Sequence, residues 1–220
     1  MIALALLLLA APAGAPDDPR RFEACAAKAR ADPAAAIKDA EAWRGAGAGW
    51  PASQCLALAY VAQERWAPAV IAFEQAAAEA DLRGDGRAAN LWVQAGNAAI
   101  ADGDGGKARL AIDRALANPV LSPQMRGEAR LDRARAGVAI GDLAGARADI
   151  DQALALVPAD PFAWLLSATL ARRQGDLVRA RRDIAEAQTR APGDADVSAE
   201  AARIAQTGPG PGGGGGGGGG

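Results

Sequence analysis

Residues 141–153 read Gly-Asp-Leu-Ala-Gly-Ala-Arg-Ala-Asp-Ile-Asp-Gln-Ala, and residues 175–187 read Gly-Asp-Leu-Val-Arg-Ala-Arg-Arg-Asp-Ile-Ala-Glu-Ala. The two copies are offset by 34 residues. A third copy starts at Gly103-Asp104 and keeps Ala108-Arg109, Ile112 and Ala115. A fourth, more divergent, keeps Ala69, Phe73 and Ala76. A chain that repeats at this period must build from small identical modules, and one such module cannot bury its apolar face alone. Neighbouring copies therefore have to stack.

Each copy carries the signals of two helices. In the last full copy, Asp160 is an N-cap candidate and Pro161 fits the first helical position, where its missing N–H costs nothing. Trp164, Leu165, Ala168 and Ala171 then form an apolar stripe at helical spacing. Gly175-Asp176 ends that helix, because Gly tolerates a left-handed turn and Asp can cap the next helix. Leu177, Ala180, Ile184 and Ala187 mark the second stripe, and Pro192-Gly193-Asp194 stops it. Small residues let the two helices approach, and Trp164 and Ile184 fill the space beside them.

This pattern resembles the tetratricopeptide repeat, a helical hairpin of 34 residues with small, large and proline residues at fixed places. The copy from Pro161 fits with Trp164, Ala168, Ala180, Ile184, Ala187 and Pro192. The copy from Gly127 fits with Ala134, Ala146, Ile150, Ala153 and Pro158. The copy from Ala89 fits with Trp92, Gly96, Ala108, Ile112 and Ala115, and Pro119 comes one place early. The copy from Trp50 fits with Ala57, Tyr60, Ala69, Phe73 and Ala76. The resemblance spans about residues 50–194 and implies an all-α, right-handed superhelical α-solenoid of stacked helix-turn-helix repeats. Extra residues near 82–88 and 123–126 predict lengthened joins. Residues 16–49 predict a divergent leading hairpin, broken near Asp32-Pro33, and residues 195–207 predict one further helix.

The composition fits such an array. Half the residues are apolar but only 4% are aromatic, and Ala dominates the apolar set. An Ala core is thin, which suits closely packed helices, and Ala is the best helix former. There is no histidine. The commonest general base and the commonest metal ligand are thereby missing. No catalytic constellation stands out, so the expectation is a protein that is not an enzyme, with no cofactor and no small-molecule substrate. The formal net charge of −2 argues against nucleic acid, whose binding needs a basic face.

The ends carry different signals. Residues 2–11 are an unbroken apolar run, too short to span a bilayer but fitting the core of a secretory signal peptide. Small residues follow at Ala11, Ala13 and Ala15, although no Lys or Arg precedes the run. The expectation is a leader over 1–15 and an exported protein, periplasmic or secreted, without stable membrane insertion once the leader is removed. Cys25 and Cys55 are an even pair, which in an oxidising compartment favours a disulfide; the alternative is two buried free thiols. A bond would pin the leading hairpin to the array. Residues 208–220 begin Gly-Pro-Gly-Pro and end in nine glycines, a composition expected to stay disordered.

Several motifs lose to blander readings. Gly103-Asp104-Gly105-Gly106-Lys107 suggests a phosphate loop, but Ala108 stands where Ser or Thr is needed and Ala101 where the first Gly belongs. Asp102, Asp104 and Asp113 mimic calcium-loop positions, but Lys107 takes the place of the required Gly. Arg83-Gly84-Asp85 matches an adhesion tripeptide by chance, and the five tryptophans at helical spacing read as core.

The resemblance implies a concave face lined by the first helix of each repeat, where family members bind extended peptides. The corresponding residues here include Gln54, Leu58, Asn90, Val93, Leu131, Val138, Leu165 and Thr169, with Asn97, Arg135, Arg172 and Arg173 the candidate partner-binding side chains. A family clamp for C-terminal carboxylates is matched only at Asn97; Val93, Asp132, Phe162 and Leu166 fill its other places. The default for such arginines is a solvated face. The expected function is a non-catalytic scaffold binding a protein or peptide in the cell envelope. The alternative is a structural or self-associating envelope component.

Overall fold

A computed structural model describes residues 19–207; the leader expected over 1–15 and the Pro/Gly stretch over 208–220 lie outside the described residues. Among the described residues there are eleven α-helices and no strand. In chain order they are α1 (Pro19–Ala31), α2 (Pro33–Gly45), α3 (Trp50–Ala62), α4 (Trp66–Leu82), α5 (Ala88–Ala101), α6 (Gly105–Ala117), α7 (Pro123–Ala139), α8 (Leu143–Leu156), α9 (Pro161–Arg173), α10 (Leu177–Arg190) and α11 (Ala195–Gln206). The chain divides into two compact units after Ala98, within α5.

In the first unit, α1 packs on both α2 and α3, α2 on α3, and α3 on α4. Cys25 of α1 and Cys55 of α3 stand at disulfide distance, with Cα atoms 6.0 Å apart. In the second unit each helix from α6 to α11 packs on the next, and α9 also touches α11. Contact with the next helix and the next but one is how a stack of hairpins buries its faces.

The small residues behind the resemblance are the core. Ala134, Ala146, Ala153, Ala168, Ala180 and Ala187 are all at most 1% exposed. Leu131, Ile150 and Leu170 fill the space between them in one cluster, and Ile184, Val197 and Ile204 in the next. The close approach is also visible at Gly105, where a Cβ would lie 2.9 Å from the Ala139 Cβ and 3.0 Å from the Ala136 carbonyl oxygen.

The turns inside the repeats are near copies. Gly103, Gly141 and Gly175 have φ of +80°, +81° and +80°. Each is followed by an Asp that caps the next helix, accepting from the backbone N–H of Lys107, Gly145 and Arg179. These are ordinary helix-to-helix turns, including the one that mimics a phosphate loop. The turn between α3 and α4 departs from the pattern: Glu64 takes φ +55°, and Arg65 supplies no side-chain cap.

The two predicted insertions resolve differently from lengthened joins. Residues 123–126 are the first turn of α7, with Pro123 in its first turn and the Ser122 hydroxyl accepting from the Met125 N–H. A good N-cap with a proline behind it turned the extra residues into helix. Helix α4 likewise runs on to Leu82, leaving only 83–87 as a loop. In that loop Asp85 accepts from the Arg87 guanidinium, which lies 4.1 Å from the Trp50 ring centroid. The Arg87 hydrogen bond holds the Asp85 carboxyl down at about 2, against the pull of burial.

Candidate functional site

Asn97 lies on α5 in the first unit and is exposed. Arg135 of α7 and Arg172 and Arg173 of α9 belong to the second unit. The first helices of the second unit form a groove, and the three arginines play different parts in it.

Arg135 of α7 and Arg173 of α9 both line a cavity of about 150 Å³ between these helices. Ala134, Val138, Ile150, Leu166, Thr169 and Leu170 line the rest of it. A second depression of about 390 Å³ shares Leu166, Thr169 and Arg173, and continues past Leu165 and Arg172 to Asp196, Glu200 and Arg203 on α11. The two together make one trough along α9, flanked by α7 and α11. Its α7 end is apolar with two guanidiniums. Its α11 end is mixed in charge.

Arg172 is not the free cation that its sequence position suggests. Its Nε donates to Glu200 at 2.6 Å, and Arg203 donates to the same carboxylate at 3.0 Å. Glu200 is 1% exposed. Burial alone would raise its carboxyl, but the hydrogen bonds from Arg172 and Arg203 outweigh this and hold it below the usual range. Arg172 therefore docks α11 onto α9. Arg135 keeps only an exposed pair with Asp132 one turn back, at 3.1 Å. Arg173 is exposed and has no ionic or hydrogen-bonding partner among the described residues.

Two buried aspartates were not singled out from the sequence. Asp149 and Asp183 occupy the same place in successive repeats and are 5% and 0% exposed. Asp149 of α8 accepts from Arg130 and Arg133 of α7, and Arg133 also reaches Asp113 of α6 at 2.7 Å. The hydrogen bonds that Arg133 donates to Asp149, first, and to Asp113 hold its guanidinium above its ordinary value despite burial. Asp183 of α10 accepts from the Ser167 hydroxyl of α9 and from Arg179 and Arg182. Arg147 of α8 donates to the Ser167 hydroxyl and carbonyl. The Asp149 and Ser167–Asp183 bonds join the two helices of one repeat, and Arg133–Asp113 and Arg147–Ser167 join one repeat to the next, so together they hold the stack. The signal was the Asp repeated before Ile150 and Ile184. Its burial was hidden because a charged residue on a helix reads as solvated.

Among the described residues no group of His, Cys, Asp and Glu could hold a metal ion, and no helix is long and apolar enough to cross a membrane. The geometry offers an apolar slot and cationic rims, which can hold a chain segment. It defines a stack of helical hairpins with a groove along its first helices.

No protein-family profile matches the chain, and no curated protein matches it. Solved structures are similar to it. The thermophilic TPR protein TTC0263 of Thermus thermophilus is 23% identical and superposes with a TM-score of 0.55, over 85% of this chain and 96% of that one. A chain of the APC/C hetero-tetramer Cut9–Hcn1 is 14% identical with a TM-score of 0.50, over 79% of this chain. The match covers only 39% of that longer chain. The fold is thus that of the tetratricopeptide-repeat proteins.

Proposed function

We propose that this chain is a non-catalytic scaffold that holds a protein or peptide segment along its first helices, on the concave face expected of the fold, in the cell envelope. The observation that carries the reading is the trough along α9, which pairs an apolar floor with the exposed, unpaired guanidinium of Arg173. A solvated helix face has no reason to keep such a floor open, whereas concave, mostly apolar sites with a few polar groups are where ligands bind. Chains of this fold occur in assemblies, as the Cut9–Hcn1 hetero-tetramer illustrates. The short apolar run at residues 2–11 and the Cys25–Cys55 pair support an exported location. The outward side of α11 carries Ser198, Ala202 and Gln206, while Val197 and Ile204 point inward, which counts against self-association through that end.

A photo-crosslinking residue at Thr169, in the trough, is compared with one at Gln188, exposed on the second helix α10. Exposed to extract from the source cells, the Thr169 probe is expected to trap a discrete protein that the Gln188 probe does not. Trapping from Gln188 alone would move the binding face to the second helices and overturn the proposal.

A further inference from the structure

The cavity between α7 and α9 is specific in both size and charge. Val138, Ile150, Leu166 and Leu170 give it an aliphatic floor, and its volume is about 150 Å³. An aliphatic cavity of about that volume takes a benzene ring. One Leu, Met or Phe side chain therefore fills it, and a backbone alone does not. Two guanidiniums and no carboxylate line it. Arg173 is unpaired among the described residues. In the Arg135–Asp132 pair, one helical turn apart, the Arg135 guanidinium is exposed and Asp132 half-buried, and ion pairs at the surface contribute so little that an incoming carboxylate can compete with Asp132 for it. The planar fork of each arginine suits a carboxylate. Further along the trough the cations are already taken, since Arg172 and Arg203 both serve Glu200, and Asp196 adds a negative charge. Available positive charge is thus confined to the rim of the apolar cavity.

Resting on the reading of this trough as the binding face, we propose that its occupant is an acidic protein segment with one bulky apolar side chain. The apolar group seats between α7 and α9, and carboxylates on either side of it meet Arg135 and Arg173. The Thr169 hydroxyl in the cavity lining is available to the segment's backbone. A basic segment would set its own charge against Arg173. A polyphosphate or nucleic acid would satisfy the arginines and leave the aliphatic floor wet.

The full chain is titrated, by fluorescence anisotropy, with three dye-labelled peptides: one Leu among Asp and Glu, the same peptide with Leu replaced by Ala, and one Leu among Lys. The acidic Leu peptide is expected to bind about tenfold tighter or better than either of the others. In the Arg135→Glu/Arg173→Glu double variant the preference between acidic and basic peptides should invert. In Thr169→Trp, which fills the cavity, the advantage of Leu over Ala should vanish. The arginines are exposed, and thermal midpoints verify that each variant is folded. Equal binding of the acidic and basic peptides, or an unaltered preference in the double variant, overturns the inference. If Thr169 still cross-links a protein in that case, the scaffold reading survives it. No peptide binding and no cross-link from Thr169 overturns both. Cross-linking of Thr169 only to a second copy of this chain makes that copy the occupant and overturns the acidic-segment inference.

Discussion

Single residues set the geometry of the turns. At Gly141 a Cβ would meet nothing within 4 Å, yet φ is +81°. Replacing it with Ala therefore tests backbone strain alone and should cost about 1–2 kcal/mol in denaturant unfolding. Glu64 poses the reverse case, a non-glycine residue at φ +55° where the other repeats have Gly. Glu64→Gly relieves that strain but loosens the unfolded chain, so the net gain should be smaller, about 0.5 kcal/mol. Asp85 offers a test by pH. Its carboxyl sits at about 2 because the Arg87 guanidinium, first, and the Arg87 N–H bond its ionised form. A depressed carboxyl contributes stability that is present above its ordinary value near 3.8 and lost as pH falls through about 2. Asp85→Asn should flatten the stability profile between those pH values and leave the slope near neutrality unchanged. Thermal melts across an acid series would show it. The same scale explains what the sequence left hidden at the site. Arg172, Asp149, Asp183 and Glu200 all carry charge at positions that read as solvated. Partners on the facing helix, in the same repeat for Asp149 and Asp183 and in the next for Arg172 and Glu200, let them be buried, and no local pattern announces that.

Elements were far more legible. Small residues recurring in register mark where helices touch, and those positions are the buried ones in the structure. The joins were less so. The balance between loop and helix at 123–126 was tipped by the Ser122 cap and Pro123, local signals that the repeat register overrode in the sequence reading. Helix α1 is the weakest element by burial, because only Cys25 and Ala29 of its residues are buried. A helix of this length is marginal on its own. A Cys25–Cys55 bond closes a loop with a sequence separation of 30, worth about 3.5 kcal/mol in loop-closure entropy. In a Cys25→Ser/Cys55→Ser double variant, amide hydrogen exchange should speed up along α1, and α9 and α10 in the other unit should keep their protection. Uniform acceleration throughout both units would mean that α1 does not unfold locally. At Gly105 the neighbouring helix comes too close for a Cβ. Gly105→Ala lies at the first turn of α6, where the helix-propensity gain is small, so overpacking should dominate and lower stability by about 1–3 kcal/mol. A neutral or stabilising result in denaturant melts would show that α6 and α7 can move apart at little cost.

At the scale of the molecule, the stack puts residues from separate repeats into one trough, and this is the surface proposed to take an extended segment. The fold was legible as a whole because each repeat restates the same instructions. The trough was legible only in outline: Arg135 and Arg173 line it, Arg172 is spent on Glu200, and Asn97 belongs to the other unit. A face made of first helices leaves the second helices out of contact with the partner. Methyl NMR of the full chain, titrated with the protein that cross-links to Thr169, tests this most directly. The account predicts that the methyl signals of Val138, Leu166 and Leu170 shift, and that those of Leu110 on α6 and Val178 on α10, both exposed on second helices, stay in place. Shifts at Leu110 and Val178 with Val138, Leu166 and Leu170 unmoved would contradict it.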